Sequence, residues 1–164
     1  MFKRSASLTV VSMLFAFTAI HGASAQTLGA HDRPIHDAAR LGNGADVQAI
    51  LKADPAMRDA RTPNGATPLH LAATNPDVTS LKVLIAAGAD ANAKDHDGLT
   101  PLHMAAYTQR APQAQLLLEA GADPYAKSNA GRDTTSMARK AMANEVAGII
   151  SLWILKGCKV GKPC

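Results

Sequence analysis

Aromatic residues are scarce in this chain: three Phe, two Tyr and one Trp among 164 residues. Phe2, Phe15 and Phe17 all stand near the N-terminus, which leaves Tyr107, Tyr125 and Trp153 for everything that follows. No stretch interleaves basic residues with stacking rings, the combination that recognition of nucleic acid uses. Charge of one sign is lacking too, with 17 Lys and Arg against 13 Asp and Glu. That mild excess does not argue for a nucleic-acid partner. Cysteine is confined to Cys158 and Cys164. A zinc site wants four ligands, and no second Cys pair or His pair accompanies these two.

The first residues read as an export signal rather than as part of the folded product. Lys3 and Arg4 form a positive start, Leu8 to Ile20 carries no charge, and Ala23-Ser24-Ala25 has the small-x-small pattern of a cleavage site. The apolar run is short for a bilayer span of about 20 residues and holds Ser12 and Thr18, so cleavage is expected over an uncleaved membrane anchor. No Cys lies near the cut and no twin arginine precedes it. Segment 1–25 is therefore the expected signal peptide and 26–31 a linker. With Lys3 and Arg4 removed, 15 basic residues face 13 acidic ones, which lowers the formal charge from +4 to about +2.

Export brings the two cysteines to a compartment where disulfides persist. Gly161 and Pro163 suit the tight loop that a Cys158–Cys164 bond would close in the tail 156–164. A structural disulfide is the expectation, and a reactive dithiol or metal clip the alternative.

Self-similarity is the strongest signal. Thr67-Pro68-Leu69-His70-Leu71-Ala72-Ala73 recurs 33 residues later as Thr100-Pro101-Leu102-His103-Met104-Ala105-Ala106. Pro34-Ile35-His36-Asp37-Ala38-Ala39 is a partial copy upstream, and Asp133-Thr134-Thr135-Ser136-Met137-Ala138 a worn one downstream. Gly88-Ala89-Asp90 and Gly121-Ala122-Asp123 keep the same step. Thr67 and Thr100 suit a helix N-cap, and Pro68 and Pro101 then take the first helical position, where no N–H is needed. Clustered apolar residues mark a second helix in each unit: Val47, Ile50 and Leu51; Leu81, Leu84 and Ile85; Leu116, Leu117 and Leu118. Gly88 and Gly121 stand where a left-handed residue ends a helix. Asp95-His96-Asp97-Gly98 is turn chemistry. The first unit holds one extra residue, placed in Ala53-Asp54-Pro55-Ala56, where Asp54-Pro55 should end the helix instead of glycine. Paired alanines let helices approach closely.

This pattern resembles the ankyrin repeat, whose T-P-L-H-x-A signature and 33-residue period both appear. The resemblance implies an all-α solenoid of four helix-turn-helix units joined by hairpin-like loops, at about 32–61, 62–94, 95–127 and 128–155. Terminal units are expected to be atypical, because each has one unpartnered face. Val146, Ile149, Ile150, Leu152, Trp153, Ile154 and Leu155 make the last face very apolar, so either the tail or a partner should cover it.

The resemblance also assigns His36, His70 and His103 a structural place between stacked units. Successive copies lie about one helix-packing distance apart, about 8–10 Å, too far to share an ion. His31 and His96 read as loop residues. No nucleophile elbow, phosphate-cradling glycine loop or zinc-protease helix appears. The chain is thus read as not an enzyme, with no cofactor and no metal.

Binding of another protein is the favoured function, since a solenoid offers an extended concave face. In the family that face comprises the hairpin tips and first helices, which here means Arg61, Asn64 and Ala66, then Lys94, His96, Asp97, Leu99, Tyr107 and Thr108, then Lys127, Asn129, Arg132 and Lys140. Tyr107 is either an aromatic anchor or a cover for helix ends. Arg61, Lys94 and Lys127 stand at equal steps and either steer an acidic surface or keep the hairpins soluble. The expected address is the periplasm, with secretion the alternative, and the expected partner another protein such as a periplasmic enzyme. A redox or metal-handling accessory acting through Cys158 and Cys164, and a secreted effector binding a host protein, remain the alternative functions. No membrane contact after cleavage and a monomer are expected.

Overall fold

A computed structural model describes residues 33–158. The expected signal peptide 1–25, the expected linker 26–31 and Cys164 lie outside the described residues. Eight α-helices follow in pairs: α1 (Pro34–Leu41) and α2 (Gly44–Ala53), α3 (Pro68–Ala72) and α4 (Thr79–Ala86), α5 (Pro101–Tyr107) and α6 (Ala111–Glu119), α7 (Thr134–Lys140) and α8 (Asn144–Leu155). A 3₁₀ turn over Pro55–Asp59 follows α2. Its start holds the extra residue of the first unit: Asp54 is extended, ends α2, and accepts from the Ala56 amide at 3.0 Å. The first helices form one row, α1 on α3 on α5 on α7, while α2 packs on α4 and α6 on α8. The result is an all-α repeat solenoid.

The small side chains make this stacking possible. Ala72, Ala105 and Ala138 recur at the repeat step and are fully buried between neighbouring first helices. Leu84, Leu117 and Ile150 do the same in the second helices. Gly88 and Gly121 adopt φ of +81° and +92° at the ends of α4 and α6. The following amides, of Ala89 and Ala122, reach back to the carbonyls of Leu84 and Leu117 at 3.0 and 2.9 Å, satisfying groups that a helix end leaves open.

Helix starts use a device the sequence showed only in outline. The Thr67 amide donates to His70 Nδ1 at 3.1 Å, and the Thr67 hydroxyl lies 2.9 Å from the same nitrogen. Thr100 and His103 repeat this at 3.1 and 2.9 Å. The histidine thus takes the place that Glu or Gln holds in an ordinary capping box. In the first unit Arg33 replaces Thr, yet its amide still donates to His36 Nδ1 at 3.0 Å, because the bond is to the backbone. In the last unit Asp133 caps α7 itself, accepting from the Ser136 amide at 2.7 Å. That explains how the worn copy dispenses with the histidine.

Val146 and Ile150 of α8 are buried, whereas Leu152 and Leu155 are exposed. The tail, residues 159–164, lies outside the described residues.

Candidate functional site

The loops between units are reversals built alike. Thr62 and Ala66, Asp95 and Leu99, and Ser128 and Arg132 are joined at 2.9, 3.0 and 2.9 Å by amide-to-carbonyl bonds. Successive tips are then bonded to one another. The His96 amide donates to the Asn64 carbonyl at 3.0 Å, the Asn129 amide to the Asp97 carbonyl at 2.9 Å, and the Asn129 side-chain amide to the His96 carbonyl at 2.9 Å. Asn64, His96, Asp97 and Asn129 are therefore exposed at the tips while their backbones hold the tips in register.

The evenly spaced cations also have inward work. Arg61 Nη1 donates to the carbonyls of Gly65 and Lys94, at 2.6 and 2.8 Å. Lys94 Nζ donates to the Lys127 carbonyl at 3.3 Å. Arg61 and Lys94 thus each reach the backbone of the next cation in the series. Neither solubility nor steering, the two uses read from the sequence, anticipated this stitching.

The histidines lie beneath. Nδ1 of His36, His70 and His103 accepts from a backbone amide, which can only donate, so the proton resides on Nε2. Nε2 donates to the carbonyls of Ala60, Leu99 and Arg132 at 3.0, 3.0 and 3.2 Å. Each ring thus ties its helix to the next loop. Burial pushes the pKa of His70 and of His103 down, and the carbonyl each bonds offsets part of that.

Leu99, Tyr107, Arg132 and Lys140 converge. With Met104, Met137 and Ala141 they line a groove of about 460 Å³ between the third and fourth units. Tyr107 is 66% exposed at its lip. Thr108 is half-buried beside it and spends its hydroxyl on the Met104 carbonyl at 2.7 Å. Arg61, Asn64, Ala66, Lys94, His96, Asp97, Lys127 and Asn129 are not among the lining residues. Met104 and Met137 were missed by the sequence reading, although a signal existed: both occupy the free position of the repeat motif, 33 residues apart.

A family model described as ankyrin repeats (3 copies) matches residues 35–128. The chain belongs to the ankyrin-repeat family. The pair α7 and α8 lies beyond the matched residues and continues the stack, α7 on α5 and α8 on α6. Ankyrin repeats generally mediate protein–protein interaction and are generally non-catalytic. Among the described residues no helix is long and apolar enough to cross a membrane.

Proposed function

We propose that this ankyrin-repeat protein is a non-catalytic scaffold of the periplasm that binds another exported protein across its hairpins and first helices. One observation carries the reading: an exposed aromatic, Tyr107, stands at the lip of a groove with an apolar floor and two cations. Aromatic side chains beside a desolvated pocket are the usual anchors of protein interfaces. The regularly stitched hairpins support it, because a surface already ordered before binding loses little freedom on association. The periplasmic address rests on Lys3, Arg4, Leu8 to Ile20 and Ala23-Ser24-Ala25, and the disulfide of the tail on that address and on the spacing of Cys158 and Cys164.

The test places a photo-crosslinking benzoylphenylalanine at Tyr107 in the exported protein, and in a parallel sample at Gln115, exposed on α6 and outside the groove. A discrete adduct from the Tyr107 position and none from Gln115 is expected. Equal adducts from both, or none from Tyr107, would overturn the assignment. With the partner in hand, Tyr107→Ala should speed dissociation about tenfold or more while changing association little.

A further inference from the structure

We infer that the groove between the third and fourth units accepts a protein segment presenting one apolar side chain flanked by carboxylates; this deepens the binding reading above and rests on it. The floor is Met104 and Met137, with Leu99 and Ala141 beside them. Thioether side chains adapt to the shape of an inserted aliphatic or aromatic group. A space of about 460 Å³ is ample for one such side chain and its adjoining backbone.

The walls decide the charge of the occupant. Arg132 and Lys140 line the groove, both are exposed, and no carboxylate lines it with them. Asp97 is exposed at its hairpin tip and does not line the groove, and two other nearby acids, Asp133 and Asp95, are turned to their own backbones. Asp133 holds the Ser136 amide at 2.7 Å, and that bond keeps its pKa low. One Asp95 oxygen holds the amides of Asp97 and Leu99 at 3.0 and 2.8 Å. Arg61 and Lys94 are occupied in stitching the hairpins. Arg132 and Lys140 are thus the cations of this face positioned to meet an incoming anion beside an apolar pocket. A carboxylate arriving there gains a charge-assisted hydrogen bond, and Arg132 can offer a paired one. A basic segment would meet like charge and is disfavoured.

The probes are three blocked pentapeptides: a central leucine flanked by glutamates, the same with glutamines, and the glutamate form with alanine in place of leucine. Each is titrated into the full exported chain carrying ¹³C-methyl methionine. The glutamate–leucine peptide should shift the methyl signals of Met104 and Met137 saturably, leaving Met57 as the internal control. The glutamine and alanine peptides should each bind about tenfold more weakly, equivalent to about 1.4 kcal/mol. Added salt should weaken the glutamate form and leave the glutamine form little changed. Arg132→Gln with Lys140→Gln should bring the glutamate peptide to the level of the glutamine one, while Lys52→Gln, on α2, should not. Equal binding of the glutamate and glutamine peptides, shifts confined to other methionines, or no saturable shift at all would overturn the inference. A groove-specific adduct at Tyr107 together with failure of the peptides would keep the binding site and reject this partner chemistry. Loss of both would reject the site itself.

Discussion

Arg61 and Lys94 stand one repeat apart, and the guanidinium of the first holds the backbone carbonyl of the second at 2.8 Å. Lys94 continues the series by reaching the Lys127 carbonyl at 3.3 Å. A repeated basic position thus serves as an inter-hairpin clamp, in which charge strengthens a hydrogen bond to a neutral acceptor.

The clamp predicts graded losses along the series. Arg61→Gln should cost about 1 kcal/mol, since it removes a donor serving two carbonyls. Lys94→Gln should cost less, its single bond being longer and exposed. Lys127→Gln should stay within about 0.5 kcal/mol, as surface changes usually do. Urea midpoints of the three variants decide the matter, and three equal losses would reject the clamp.

The buried histidines predict a loss of stability in mild acid. His70 and His103 have folded pKa values below the ordinary 6.5, because burial disfavours the charged ring. The unfolded chain then binds more protons than the folded one as pH falls below about 6.5, so stability is complete above that value and declines below it. The urea midpoint at pH 5 should lie below that at pH 7.5. His70→Gln should be less stable at both values and should show a smaller difference between them. An unchanged difference would place the acid sensitivity elsewhere.

A residue in the left-handed region offers a stabilising change. Met142 has φ of 56°, is 79% exposed, and follows α7 as Gly88 follows α4. A side chain in that conformation costs about 1 kcal/mol relative to glycine. Met142→Gly should therefore raise stability by about that amount in thermal or urea unfolding. Gln109 shares the conformation at φ 60°, but its side-chain Nε2 donates to the Ala141 carbonyl at 2.8 Å. Gln109→Gly should gain less, and equal gains at both sites would count against the side-chain bond.

Processing of the termini is open to intact mass. Exported protein should begin at Gln26 and weigh two hydrogens less than the reduced chain, with no thiol to alkylate. Replacing both cysteines by Ser should trim stability by about 2 kcal/mol or less and leave the fold in place. Material that retains Met1 in the membrane would contradict the export reading. Two alkylatable thiols in exported protein would favour the redox accessory over the scaffold.

The repeat, the four helix pairs and the helix-ending glycines were all legible in the sequence, because caps and apolar spacing act over three or four residues. Asp133 and Arg33 show why worn copies still fold: one brings its own cap, and the other needs only its backbone amide. Leu99, Tyr107, Arg132 and Lys140 were named through the ankyrin resemblance, and the structure brings these four to one groove. That Met104 and Met137 join them as the floor of that groove was not legible, since the motif leaves their position free. Nor could the sequence separate Arg61 and Lys94, whose cations close on backbone, from Arg132 and Lys140, whose cations line the groove. Those outcomes depend on where a group 29 or 33 residues away is placed by the stack. Local chemistry determined the units, and the distance between stacked units decided which side chains close on a neighbour's backbone and which line the groove.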